Sequence, residues 1–440
     1  MAANAAQWTG DSVVLLNARL PDTARGLATG KVQSANIRIV DGKVLAIGAD
    51  VTPEPGEASH DCRGGLVVPA FVDVHTHLDK GHIWTRTENP DGSFMGALRS
   101  VGADRQAHWS AEDIERRMDF ALRCAFAHGT AAIRTHLDSD PAQRVVSWPI
   151  FDKMRDAWRG RIELQPVALI GPDSMCDLEE VRAVARWIKP FGGVLGGAIA
   201  NHPDARTAMA NVVKAADEFG LDIDVHCDET LDPEASSLLH LAEAILEARY
   251  EGHAQAGHCC SLATQSADVA AQTIDKVAEA KVAVVSLPLC NMYLQDRQPE
   301  GTVRTPRLRG ITLVKELKAA GCTLSVASDN TRDPFYAYGD LDMVEVFRET
   351  ARIAQIDHPS EDAWDWLRAL TALPAASARF VYDGTIAVGH AADLVILRAR
   401  SWSELHSRPQ ADRIVVRSGR AIDTTLPDYS ELDGLIGAPS

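Results

Sequence analysis

The chain of 440 residues has no CxxC pair; its eight cysteines lie scattered at 62, 124, 176, 227, 259, 260, 290 and 322. In a chain of this size that speaks against a disulfide framework and reads as free, mostly buried thiols in a reducing compartment. Long apolar runs are also missing. The stretch at 282–285 is far short of the roughly 20 residues that span a bilayer. The first residues, MAANAAQWTGDS, lack the basic and apolar regions of a secretory leader. These absences together point to the cytoplasm. Positive charge is scarce: 44 Lys and Arg stand against 61 Asp and Glu, a formal charge of −17. With no dense basic cluster, a nucleic-acid partner is excluded, because counterion release needs a basic face. No GxGxxG follows the first strand, which weakens a doubly wound dinucleotide-binding sheet.

What is present is an ordinary globular composition, 46% apolar and 24% charged. The length suits one large domain plus a small one. Buried-type strands are expected at 67–77, 130–137, 163–170, 193–199, 222–227, 255–260, 282–289 and 323–329. Amphipathic helices alternate with them, at 205–219, 233–250, 266–280 and 311–320 among others. One more opens at Ser110 with Asp113 in a capping-box-like start and closes at Gly129. Eight strands each followed by a helix predict an α/β fold, a (β/α)₈ TIM barrel, over 67–381. The flanks have a different texture. Residues 12–50 and 385–424 read as short alternating strands, with Asp41-Gly42 as a hairpin turn. They predict a small β-sandwich domain built from 1–66 and 382–440, ending in a loose tail.

The histidines and acids carry the chemistry. His75 and His77 are two apart at the end of the first strand, so their side chains share a face. His226 ends the fifth strand, His258 the sixth and Asp329 the eighth. In a barrel those ends converge at the mouth where active sites form. Three imidazoles and a carboxylate around an open position suit a catalytic divalent metal. Such an ion lowers the pKa of water to about 7. Asp329 is placed to take the water's proton. Glu229, three residues beyond His226 where the chain leaves the strand, is placed to reach substrate and exchange a proton with it. His258 is placed to stabilise the attacking hydroxide or the developing oxyanion.

The segments PAFVDVHTHLDK (69–80), DVHCDE (224–229), GHCC (257–260) and SDNTRDPF (328–335) resemble the amidohydrolase superfamily, specifically its cytosine deaminase branch, over nearly the whole chain. The resemblance implies one metal, Zn²⁺ or Fe²⁺, held by His75, His77, His226 and Asp329. It also implies Glu229 as proton shuttle and His258 against the attacking water. Dinuclear relatives carry a bridging lysine at the end of the fourth strand. Here that strand reads GGVLGGAIANH, and Lys189 precedes it, so one metal is favoured. The HxE and PCxxC signature of the other nucleobase deaminases is absent. The pattern departs from cytosine deaminases at two substrate positions. Asn330 replaces a second aspartate, and Gly171 stands where a glutamine is expected, which changes the hydrogen-bond pattern and makes room. The SDN-x-RD wording is similar to that of N-isopropylammelide hydrolases.

The expected reaction is therefore hydrolytic deamination of a small nitrogen heterocycle, cytosine-like or larger, by hydroxide generated on the metal, with release of ammonia. The alternatives are removal of an alkylamine from an s-triazine and hydrolytic opening of a cyclic amide. A non-catalytic binding protein is disfavoured because Glu229 and Asp329 are both intact. His136, at the end of the second strand, is a candidate substrate contact. Asp79 and Lys80 read as a salt-bridged loop start, Cys259 and Cys260 as core packing, and Trp84 and Phe94 as anchors of the long first loop. A homo-oligomer is expected from the resemblance.

Overall fold

A computed structural model describes residues 11–27, 29–298, 301–359 and 361–438. Residues 1–10, read above as lacking a secretory leader, lie outside them. The N-terminal flank forms β1 (Ser12–Pro21), β2 (Val32–Val40), β3 (Lys43–Gly48) and β4 (Ala58–Asp61), in sheet order β3-β2-β1-β4. The β2–β3 turn is Asp41-Gly42. Both residues have positive φ, 48° and 78°, which suits the right-handed twist of a two-residue hairpin and favours glycine.

The expected strand 67–77 is two strands. β5 (Val67–Pro69) joins a flank sheet, and β6 (Phe71–Thr76) starts the central array. Pro69 has no N–H to continue a ladder, so the chain changes sheets there. The central strands continue as β7 (Thr130–Asp138), β8 (Glu163–Leu169), β9 (Leu195–Ile199), β10 (Ile223–Cys227), β11 (Ala254–His258), β12 (Ala283–Ser286) and β13 (Leu324–Val326). All pairings among β6 to β13 are parallel, in the orders β6-β7-β8 and β13-β12-β11-β10-β9. Isolated parallel bridges Val167↔Val194 and Thr76↔Asp329 connect the two sheets. Strand residues here are buried on both faces, as parallel strands covered by helices should be.

The C-terminal flank supplies β14 (Leu394–Ile396), β15 (Ile414–Arg417) and β16 (Arg420–Ala421), which pair antiparallel in the order β16-β15-β14-β5. Leu15, Leu20, Ile37 and Val44 from one end of the chain share an apolar core with Ile386, Leu394 and Val416 from the other.

Helix signals held closely. Ser110 caps Ala111–His128 by accepting from the Asp113 amide, and Gly129 closes it at φ 97°. Helix Ala205–Phe219 matches its expected limits, whereas 233–250 shortens to Ser237–Ala248 and 311–320 to Val314–Ala319. The run 282–289 ends early because Pro288 opens helix Pro288–Leu294. The tail expected to be loose carries a turn, Tyr429–Leu432, and a helix, Asp433–Ile436. Leu432 and Ile436 pack against Phe120 and Cys124. Apolar side chains at both ends of that segment are what the composition reading overlooked. Among the described residues no helix is long and apolar enough to cross a membrane.

Candidate active site

β6 delivers His75 and His77, β10 delivers His226, β11 ends on His258, and Asp329 follows β13. All are buried. The Nε2 atoms of His75 and His226 are 3.1 Å apart, and those of His226 and His77 3.2 Å. Asp329 Oδ1 lies 3.2 Å from His77 Nε2 and 3.7 Å from His75 Nε2. Ligands at about 2.1 Å from a tetrahedral metal stand about 3.4 Å apart. These four separations lie near that value, and His75, His77 and Asp329 each bring one ligand atom within 4.8 Å of the others, so the residues suit an ion. The chemistry of the set agrees. Burial holds His75, His77 and His226 far below the usual imidazole pKa, so they are neutral donors, and both Asp329 oxygens are buried without a hydrogen-bond partner. A buried carboxylate facing neutral rings is costly unless a cation accompanies it.

The backbone fixes this convergence. The Asp329 amide donates to the His75 carbonyl at 3.0 Å, so two of the four donors are locked together through the main chain. Asp73, on the same strand as both histidines, accepts from the Ser328 amide at 3.1 Å and from its hydroxyl, pinning the residue before Asp329. His258 and Asp329 both have φ 67°, and Asp228 has 51°. Positive φ in non-glycine residues is strained, and its clustering where β10, β11 and β13 end is typical of a built site. Gly257 explains why β11 tolerates the crowding: a Cβ there would sit 2.7 Å from His75 Cε1.

Glu229 reaches the same centre, with Oε1 3.5 Å from His258 Nδ1. Burial raises its pKa well above the carboxylate range, the nearby Asp329 raises it further, and Lys80 only partly opposes them. A carboxyl whose pKa is raised in this way holds its proton more firmly than an ordinary one, which suits proton donation. His258 Nδ1 is 3.0 Å from the Asn291 side-chain amide nitrogen. Burial pushes His258 down to about 3.

His136 is brought into the cluster, its ring centroid 4.1 Å from that of His75 and its Nε2 3.7 Å from Asp224 Oδ1. Asn330 is buried beside Asp329, but its amide nitrogen donates to Asp333 at 2.7 Å and its oxygen faces the Cys290 thiol at 3.7 Å. Gly171 is exposed at the end of β8, and a Cβ there would meet nothing within 4 Å. Lys80 lies 3.5 Å from Asp138 in a buried salt-bridged group with Arg105. Phe94 packs edge-on against Phe335.

Several members were not singled out from sequence. Asn291, behind His258, is one. Beneath the site Asp224 accepts from Arg134 at 2.8 Å and from Gln255 at 2.6 Å, and Arg134 also donates to Gln165 at 2.7 Å, forming a buried polar floor across β7, β8, β10 and β11. Polar residues at inward strand positions, such as Asp224 two before His226, were the available signal.

The arrangement defines a class first. By fold it is that of solved heterocycle hydrolases. It superposes on 5-methylcytosine deaminase from Klebsiella pneumoniae with TM-score 0.79 at 23% identity, covering 94% of this chain and 98% of that one. N-isopropylammelide isopropylaminohydrolase from Burkholderia multivorans gives TM-score 0.73 at 25% identity, covering 94% and 98%. In sequence, the amidohydrolase family model matches residues 123–422. A pterin deaminase from Rhizobium rhizogenes is 51% identical over 429 residues, 97% of each chain. The chain belongs to the amidohydrolase family and is a hydrolase of carbon–nitrogen bonds other than peptide bonds.

Proposed function

We propose that the chain deaminates a pterin, the bicyclic ring carrying an amino group on its pyrimidine half. The observation that carries the reaction type is the convergence of three imidazole nitrogens and Asp329 at 3.1–3.7 Å, with Glu229 beside them, its pKa raised by burial. The 51% identical pterin deaminase supports the substrate class.

His75, His77, His226 and Asp329 would hold one divalent ion, zinc or iron, which when bound acidifies water and polarises the reacting carbon. Asp329 takes the proton of the attacking water. Glu229 gives its proton to a ring nitrogen beside the amino-bearing carbon, making that carbon electrophilic. His258, with Nε2 free of any protein partner, donates to the incoming oxygen. The new C–O bond forms. Glu229, having given up its proton, takes the proton of the new hydroxyl and passes it to the amino nitrogen. The C–N bond breaks and ammonia leaves; the proton held by Asp329 then restores Glu229. The ring carbon becomes a carbonyl, so water and the amino-bearing pterin balance against ammonia and the oxo product. His136 lies near enough to line the base of the substrate pocket.

The two parallel sheets and their bridges support a closed (β/α)₈ barrel over 67–381, with 1–66 and 382–440 as a small β-sandwich domain. A cytoplasmic homo-oligomer without nucleic-acid partner is the accompanying expectation. The test is a panel of pterin, cytosine, isocytosine and N-isopropylammelide, read by coupled ammonia release and by the spectral change of the ring. Turnover highest on pterin with stoichiometric ammonia is expected. Release of isopropylamine from the ammelide with no ammonia from pterin would replace this reading with the triazine one.

A further inference from the structure

A second set of metal-ligating side chains lies outside the centre described above. Cys176, His202 and Asp204 each bring one ligand atom within 4.8 Å of the others. They come from two different connections at the same end of the strands as the histidine cluster. Cys176 ends the short helix Pro172–Cys176 after β8. His202 and Asp204 lie between β9 and helix Ala205–Phe219.

The positions are held from behind. Asn211, inside that helix, donates to the carbonyls of Met175 and Cys176 at 3.1 and 2.9 Å, tying the cysteine to the chain that bears the other two. The Cys176 thiol contacts the Asp204 carbonyl at 3.9 Å, and the Asp204 amide donates to His202 Nδ1 at 3.2 Å. Asp204 occupies an N-cap position, where an aspartate ordinarily accepts from the first turn, yet its side chain makes no cap hydrogen bond. Its carboxylate stands with the sulfur and the imidazole instead. Cys176 and His202 are half-buried and Asp204 is exposed, so an ion enters from solvent without any rearrangement of the core.

We propose that Cys176, His202 and Asp204 form a second metal site for a divalent ion of the zinc class, with water completing the coordination. One sulfur, one nitrogen and one oxygen donor make a borderline-soft set, suited to zinc and its neighbours and unsuited to magnesium or calcium. Binding costs the thiol its proton and exchanges the 3.2 Å amide contact of His202 for coordination. An ion there joins the connections after β8 and β9. The proposal does not depend on the deaminase reading, because its test reads the sulfur and not turnover.

The donors assigned to the central ion are nitrogen and oxygen, and the Cys290 thiol lies beside them, 3.7 Å from Asn330, so loss of a sulfur-to-metal signal in Cys176→Ser but not in Cys290→Ser reports the second site. Holoenzyme loaded with zinc is titrated with Co²⁺ and followed in the near ultraviolet for thiolate-to-cobalt charge transfer. The expected result is a saturable band equivalent to one ion per chain, lost in Cys176→Ser and kept in Cys322→Ser, the other cysteine that is not fully buried. An unchanged circular dichroism spectrum and melting temperature of the metal-free protein show that Cys176→Ser is folded. Asp204→Asn should weaken the cobalt titration at least ~10-fold, as loss of a supporting group does at metal sites. No band in the wild type, a band of equal intensity in Cys176→Ser, or unchanged affinity in Asp204→Asn would each overturn the site.

Discussion

The side-chain amide nitrogen of Asn291 stands 3.0 Å from Nδ1 of His258, in a fully buried contact between helix Pro288–Leu294 and the end of β11. An amide nitrogen only donates, so Nδ1 accepts, and a neutral ring then carries its proton on Nε2. That proton faces the cluster. Asn291→Ala should lower kcat about 10- to 100-fold, the usual effect of losing an orienting partner. KM should change less, and metal content should not change. Asn291→Asp would pull the proton onto Nδ1 and should be no better than alanine. Full activity in the aspartate variant would show that the tautomer does not matter.

Glu229→Gln keeps size and hydrogen-bonding reach but cannot give up a proton. It should cost at least ~10²-fold in kcat. Metal stoichiometry and melting temperature should stay at wild-type values, because Glu229 is not among the four donors assigned to the ion. Rapid-quench ammonia release separates loss of chemistry from slow product departure.

Chelation should abolish turnover and also lower the melting temperature. An ion bound only by the folded chain stabilises it by about 2.7 kcal/mol at a free concentration 100 times Kd. Re-addition of zinc or iron should restore both quantities, and calorimetry should show a smaller metal-dependent shift in His226→Ala and none when Cys176→Ser is added to it. A metal-independent melting temperature in the wild type would contradict the fit of these donors to an ion.

Away from the site, His406 lies between Trp402 and Phe347, and burial lowers its pKa to about 4. The unfolded chain holds a proton on this ring below about 6.5, and the folded chain does not until about pH 4. The unfolded state therefore binds more protons in that window, so stability rises with pH across it and is lost as pH falls from 6.5 towards 4. His406→Phe should flatten the drop in melting temperature between pH 7 and pH 5. An unchanged drop would assign the acid sensitivity to other groups.

Gly171→Gln should fold normally, since a side chain there begins in open space. If the pocket admits the second ring past this point, kcat/KM on pterin should fall relative to isocytosine. Equal effects on both would place the substrate elsewhere.

The sequence carried the site further than it carried the edges of the strands. HxH spacing is a strand-period signal, and His226, His258 and Asp329 each close an apolar run, so the converging donors were legible once a parallel array was inferred. The split at Pro69 was missed: the missing N–H is a local signal, but the apolar run on either side of it concealed the change of sheet. Asn291 was not legible. Its role depends on helix Pro288–Leu294 passing behind β11, a contact across 33 positions that no local pattern encodes. Nor was the occupation of Asn330 by Asp333 and Cys290, which depends on how the chain folds back after β13.

Gly257 has no side chain and touches no ion, yet a single added methyl group would press on His75. A screen for inactivating mutations should therefore hit codon 257 as hard as the ligand codons themselves. Variants recovered there would resemble metal-deficient enzyme with every ligand intact, and supplementation with excess metal would not rescue them.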